Sequence, residues 1–239
     1  MSGVILHTAF DALAWLLAGA AALWLTRVEK IAFPAVTTDL PYLAAVLLGA
    51  GVGAYVFGSA NLWLSGVPGL GRSIEGALAG GILAVELYKH AARIRTRTGA
   101  RFALPLAVGV AVGRIGCYLA GLDDFTYGTP TALPWGHDFG DGIPRHPVQL
   151  YESAAMAAFA LLYVVAVRRR DPFAIDNGFY LAVGFYGAQR FGWEFLKPYG
   201  AVLGPLTLFH LLSLATLAYA IAMIATAPHR SPAHDRAVA

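Results

Sequence analysis

Residues 113–152 read GRIGCYLAGLDDFTYGTPTALPWGHDFGDGIPRHPVQLYE. An arginine stands inside an apolar helical run and is followed by a polar loop rich in glycine and proline. Hydrocarbon makes charge expensive and offers backbone groups no water, so a charge and irregular backbone at that depth mark a site. The segment reads as the active-site stretch of a membrane enzyme, with the rest of the chain as its scaffold.

The composition agrees. Of 239 residues, 58% are hydrophobic and 13% charged, and the mean hydropathy is +0.61. Such a chain is a polytopic membrane protein and neither a soluble enzyme nor a nucleic-acid binder. One domain, residues 1–239, is expected. The single Cys117 rules out an internal disulfide framework, and no CxxC or Cys/His spacing signals a metal ligand set. No metal and no organic cofactor are expected.

Seven runs approach the roughly 20 apolar residues a spanning helix needs: 4–25, 42–64, 74–88, 102–121, 149–167, 178–196 and 206–226. The third is short unless it extends through Lys89. The first has no basic region before it and no small-residue cleavage site, so it is kept as a span and not read as a leader. Alternate connections carry Arg27 and Lys30, then Lys89, Arg93, Arg95, Arg97 and Arg101, then Arg168, Arg169 and Arg170, with Arg230 and Arg236 on the tail. The other side holds only Arg72, Arg145 and Lys197. The asymmetry predicts an all-α integral membrane protein of seven transmembrane helices, N-terminus outside and C-terminus cytoplasmic, with a long outer loop at 122–148. Basic runs such as RIRTR then serve topology beside anionic headgroups.

Arg114 and Arg190 are the two arginines inside spans, and Glu194 follows Arg190 by one helical turn. A guanidinium is always charged and presents a planar fork of donors, so two in one bundle suit a phosphate headgroup. The competing structural reading pairs Arg190 with Glu194 at i,i+4 and lets Arg114 snorkel outward. Glycine pairs Gly49/Gly53, Gly76/Gly80 and Gly109/Gly113 suit helix packing. Gly128, in YGTPT, suits close approach of a headgroup to the main chain. RHPVQLYE places Arg145, His146, Gln149, Tyr151 and Glu152 at the boundary where the fifth span begins.

GRIGCYLAG with YGTPT, the RHPVQLYE segment, GRSIEGALAGG at the third span and RFGWEFLKP at the end of the sixth resemble, in order and spacing, the bacterial prolipoprotein diacylglyceryl transferases. The resemblance covers most of residues 70–198. It implies transfer of the diacylglyceryl group of phosphatidylglycerol to the lipobox cysteine of exported prolipoproteins, with release of glycerol phosphate, at the outer face of the bacterial inner membrane. Arg114 and Arg190 match the family's essential arginines, and Gly128 matches the closing glycine of its signature. Preorganised cations in a dry site would stabilise the leaving phosphate. The substrate-binding surface is assigned to Gly116, Cys117, Gly128, Arg145, His146, Gln149, Tyr151, Glu152 and Glu194.

The chain departs from the family at three places. Glu75-Gly76-Ala77 stands where many members have His-Gly-Gly, Cys117 replaces a common asparagine, and Phe10 and Asp11 occupy the region of an expected tyrosine. Glu75 is therefore a candidate general base for the incoming thiol, and Cys117 a candidate for self-acylation. The departures leave room for a paralogue with another acceptor. A phospholipid-binding or transport protein, with Asp11, Glu75, Glu86 and Glu194 as a proton ladder, is the other alternative, although no repeat of two halves supports it.

Overall fold

The computed structural model describes residues 3–227; Arg230 and Arg236 of the basic tail lie outside them. Seven long helices carry the chain: α1 (Gly3–Leu23), α2 (Leu40–Leu64), α3 (Ile74–Ala91), α4 (Ala103–Ala120), α5 (Val148–Arg168), α6 (Pro172–Glu194) and α7 (Leu208–Ala225). Five of them, α1, α2, α4, α5 and α7, are long and apolar enough to cross a membrane. α3 and α6 fall short of that because they carry the acids, amides and arginine that the site needs. The protein is thus a mostly helical membrane protein.

Burial runs opposite to that of a soluble protein. Leu16, Leu48 and Leu162 are 71%, 69% and 71% exposed, while charged side chains lie inside. In water such a surface would be a liability; against lipid tails it is matched. With no hydrophobic drive between helices in lipid, close contact comes from small residues. α2 and α3 meet through Gly49, Gly53, Gly76 and Gly80, where a Cβ on Gly76 would lie 2.5 Å from the Gly53 carbonyl oxygen and one on Gly49 2.6 Å from that of Gly80. The apolar core sits between α1, α4, α5 and α6, around Leu25, Leu104, Ala107, Met156 and Tyr186.

The helix bounds agree with the apolar runs within a few residues, with one exception. α6 begins six residues before the expected 178, because Asp171 caps it, accepting the N–H groups of Phe173 (2.9 Å) and Ala174 (3.3 Å), with Pro172 in the first turn. α3 does extend through Lys89. Two small antiparallel hairpins were not foreseen: β1 (His137–Asp138) with β2 (Pro144–Arg145), and β3 (Ala201–Leu203) with β4 (Leu206–Thr207).

The first hairpin orders the 122–148 loop. Asp138 Oδ1 accepts the N–H groups of Gly140, Asp141 and Gly142, and the N–H of Thr131 donates to the Pro144 carbonyl (2.9 Å). The N–H of Thr129 donates to the Leu196 carbonyl (2.6 Å), tying the loop to the end of α6. The loop and the ends of α3 to α7 that surround it form one end of the bundle. At the opposite end the basic residues are anchored locally: Arg97 donates to the Asn177 side chain (2.9 Å) and the Met223 carbonyl, and Arg170 lies 3.5 Å from Glu29.

Candidate active site

Three cations converge on one carboxylate. Glu152, one turn into α5, is fully buried. Arg114 of α4 places Nε against its Oε2. Arg190 of α6 lies 2.5 Å from its Oε1, and Lys197, just beyond α6, lies 2.9 Å from the same oxygen. Arg190 reaches two further acids, Glu75 of α3 at 3.2 Å and Glu194 at 2.9 Å. Three cations thus face three carboxylates, none of the six more than 5% exposed. Unpaired, any one of them would cost several kcal/mol at such burial; in the network each has a group of opposite sign as its partner.

Side chains of α7 and its approach complete the set. Ser213 donates to Glu75 Oε1 (2.5 Å), and Thr207, the N-cap of α7, donates to Glu194 Oε1 (2.6 Å). The face of Phe209 lies 5.3 Å from the Arg190 guanidinium. Around this network several buried polar atoms have no protein hydrogen-bond partner: both amide atoms of Gln149, the hydroxyl of Tyr186 and Nε2 of His210. Gln149 and Tyr186 lie about one helical turn from Glu152 and Arg190 and offer donors and acceptors to a polar headgroup. Lys197 lies outside the helical spans; burial, with Arg190 beside it, pulls its ammonium down to about 8.

Both structural readings of the arginines are now decided. Arg114 does not snorkel: it is buried against Glu152, with Nη1 3.7 Å from Cys117 Sγ. Arg190 does pair with Glu194, but it also holds Glu75 and Glu152. The two guanidiniums do lie on either side of an anion, and that anion is the protein's own Glu152. Since a guanidinium has five N–H donors, donor capacity remains for a phosphate beside it.

The other expected residues divide into two groups. Gln149, Glu152, Glu194 and Glu75 join the cluster. Both oxygens of Glu75 are engaged, by Arg190 and Ser213, so the candidate general base is also a partner of Arg190. His146 and Tyr151 line a small aromatic pocket with Leu133, Trp135, Trp193 and Leu196; Trp135 Nε1 donates to the Tyr151 hydroxyl (2.8 Å). Arg145 stays in the loop, paired with Asp141 at 2.6 Å, which holds the Asp141 carboxyl below its usual range. Gly128 also has a different part from the one expected. A Cβ there would lie 2.5 Å from the His146 carbonyl oxygen, so the missing side chain admits the 146–148 segment. Gly116 admits α1, since a Cβ would lie 2.6 Å from that of Phe10.

The acids do not form a proton ladder. Glu86 pairs with Lys89 (3.1 Å) and Asp11 with His7 (3.1 Å), apart from the Glu75–Glu194 group. Lys197, Ser213 and Thr207 escaped the sequence reading. For Lys197 a signal existed: Arg190, Glu194 and Lys197 stand at i, i+4 and i+7, one helical face.

The sequence as a whole has known counterparts. A phosphatidylglycerol–prolipoprotein diacylglyceryl transferase of Geobacter sulfurreducens is 35% identical over 182 residues, 70% of this chain and 68% of that protein. The protein of the same name from Cupriavidus pinatubonensis is 35% identical over 202 residues, 77% of this chain and 71% of its own length. That of Methylococcus capsulatus is 32% identical over 241 residues, covering 90% and 89%. The family profile described as prolipoprotein diacylglyceryl transferase matches residues 3–226, nearly the whole described chain, and so spans every helix that builds the cluster: the chain belongs to the prolipoprotein diacylglyceryl transferase family.

Proposed function

We propose that the chain transfers the diacylglyceryl group of phosphatidylglycerol to the lipobox cysteine of exported prolipoproteins, releasing glycerol phosphate. The observation that carries this reading is the pair of buried guanidiniums, Arg114 and Arg190, arranged about Glu152 in an apolar bundle of this family. The acceptor sulfur attacks the glycerol carbon, the bond from that carbon to the phosphate oxygen breaks, and negative charge collects on the leaving phosphate. Arg114, Arg190 and Lys197 stabilise that charge from fixed positions in a water-poor site. Glu152, Glu194 and Glu75 hold the cations in place between turnovers. Gln149 and Tyr186 hydrogen-bond the headgroup, and the aromatic pocket of His146, Tyr151 and Trp193 receives the peptide.

The site faces outward from the bacterial inner membrane in this reading, with seven spans, the N-terminus outside and the basic loops in the cytoplasm. Maleimide labelling of single cysteines placed at 140 and 96 in a Cys117→Ser background tests it: intact spheroplasts should label the first and spare the second. The activity test uses purified protein, labelled phosphatidylglycerol and a lipobox peptide. Thioether product is expected, and should vanish with a Cys→Ser peptide and with Arg114→Ala or Arg190→Ala protein. Lipid bound in an arginine-dependent way without product would instead support the paralogue with a changed acceptor.

A further inference from the structure

Beside the charge cluster, α1, α4 and the 3-10 turn Gly121–Asp124 bring together three side chains that lie far apart in sequence. His7 Nε2 is 3.6 Å from Cys117 Sγ and 3.3 Å from Asp124 Oδ1, and one ligand-type atom of each residue lies within 4.8 Å of the other two. The His7–Asp124 separation is long for a charge-assisted hydrogen bond between nitrogen and oxygen, which runs at about 2.7–2.9 Å, while the His7–Cys117 distance is an ordinary one for a contact to sulfur. Both also fit shared coordination. With Zn–S of about 2.3 Å and Zn–N and Zn–O of about 2.0–2.1 Å, tetrahedral edges are about 3.6 Å for N···S and about 3.3 Å for N···O.

Each of the two hard ligands has a partner behind it. His7 Nδ1 faces Asp11 Oδ2 at 3.1 Å, leaving Nε2 to the cluster, and Thr126 Oγ1 donates to the second oxygen of Asp124 at 2.6 Å. Carboxylate behind histidine and a donor behind carboxylate are the outer contacts that orient metal ligands. The charges also balance: thiolate and carboxylate neutralise a dication, and the nearby Arg114 is already met by Glu152.

We propose that His7 Nε2, Cys117 Sγ and Asp124 Oδ1 form a three-ligand zinc site whose open fourth position takes the thiolate of the acceptor cysteine. The mixed nitrogen, sulfur and oxygen set suits zinc, and three protein ligands leave one position open as in catalytic sites. The second half of the proposal rests on the transferase reading. A metal-bound thiol loses its proton, so the site supplies the nucleophile as a thiolate. Arg114 Nη1, 3.7 Å from Cys117 Sγ, places the headgroup cations next to it. The C–S bond forms as the C–O bond to phosphate breaks; the phosphate oxygen keeps the electron pair and takes up the proton displaced from the thiol.

The test is metal binding by the full chain in detergent, with Zn²⁺ and Co²⁺ as probes. One zinc per chain is expected, bound about ten- to a hundredfold more weakly in Asp11→Asn and not stoichiometrically in His7→Gln or Cys117→Ser. The cobalt form of the unmutated protein should show thiolate-to-cobalt absorption, which needs no variant to fold. A lipobox peptide should shift those bands and its serine counterpart should not. Absence of bound metal, or zinc retained in Cys117→Ser, overturns the site; bound metal with no peptide shift overturns the acceptor role. Full-rate transfer by metal-free protein would also overturn the zinc role while leaving the transferase reading intact. Metal-loaded protein that makes no product would count against the transferase reading, with the cobalt spectrum still deciding the site.

Discussion

Glu152 shows how much one side chain carries. It alone is shared by Arg114, Arg190 and Lys197, so Glu152→Gln leaves buried cations short of an anion. A loss of about 3–5 kcal/mol in unfolding stability is expected, together with loss of transfer, read by thermal denaturation in detergent and by the thioether assay. Glu75→Gln should behave differently. Its amide oxygen can still accept from Arg190 while its NH2 donates to a turned Ser213 hydroxyl, so most activity is retained, whereas Glu75→Ala loses it; equal loss in both would restore the general-base role to Glu75. Lys197 sets a pH limit. With its ammonium held at about 8, it is charged below that pH and neutral above, so the transfer rate should fall as pH rises through 8, and Lys197→Arg should remove that fall. The sequence marked Arg114 and Arg190 because a charge in an apolar run is conspicuous. It could not show that Glu152 lies between them, since residues 38 apart are brought together only by the packing of α5 on α6.

At the scale of elements, spans announce themselves through composition and their partners do not. The seven apolar runs foretold seven helices, and α6 started early only because DPFAIDNG looks polar, although Asp171 followed by Pro172 is a helix-start signal. The two hairpins left no trace: strands of two or three residues have too few positions for alternation to show. Glycine spacing did point to close packing, and α2 against α3 permits a paired test. Gly53→Val drives a side chain into the backbone of Gly76 and Gly80 and should lower stability by about 1–3 kcal/mol. Gly51→Ala, on the same helix with open space around it, should be neutral or gain up to about 1 kcal/mol from helix propensity. Thermal shifts of the two proteins in one detergent decide the matter. His7 was passed over while Asp11, one turn further on, was noted; their i,i+4 spacing on α1 was the available clue.

For the whole molecule, all the acids and bases of the cluster lie at one end of the bundle, and they come from four separate stretches of chain. The class of protein was legible at once, because 58% hydrophobic residues leave no soluble alternative. The assembled site was not, because it depends on which helix ends meet. Such burial also predicts weak salt dependence: these pairs lie beyond the reach of mobile ions, so the transfer rate should change little between low and physiological ionic strength. A steep decline with salt would mean that the cluster is open to solvent. The order of synthesis gives the network a history. Glu75 leaves the ribosome 115 residues ahead of Arg190, an interval of roughly 6–23 s at about 5–20 residues per second. During that wait α3 holds an acid with no cation to meet it, so its entry into lipid depends on protonation or on shelter in the insertion machinery until α6 arrives. A nascent chain stalled before α6 should therefore remain crosslinkable at α3 to the insertion machinery, and one stalled after α7 should not.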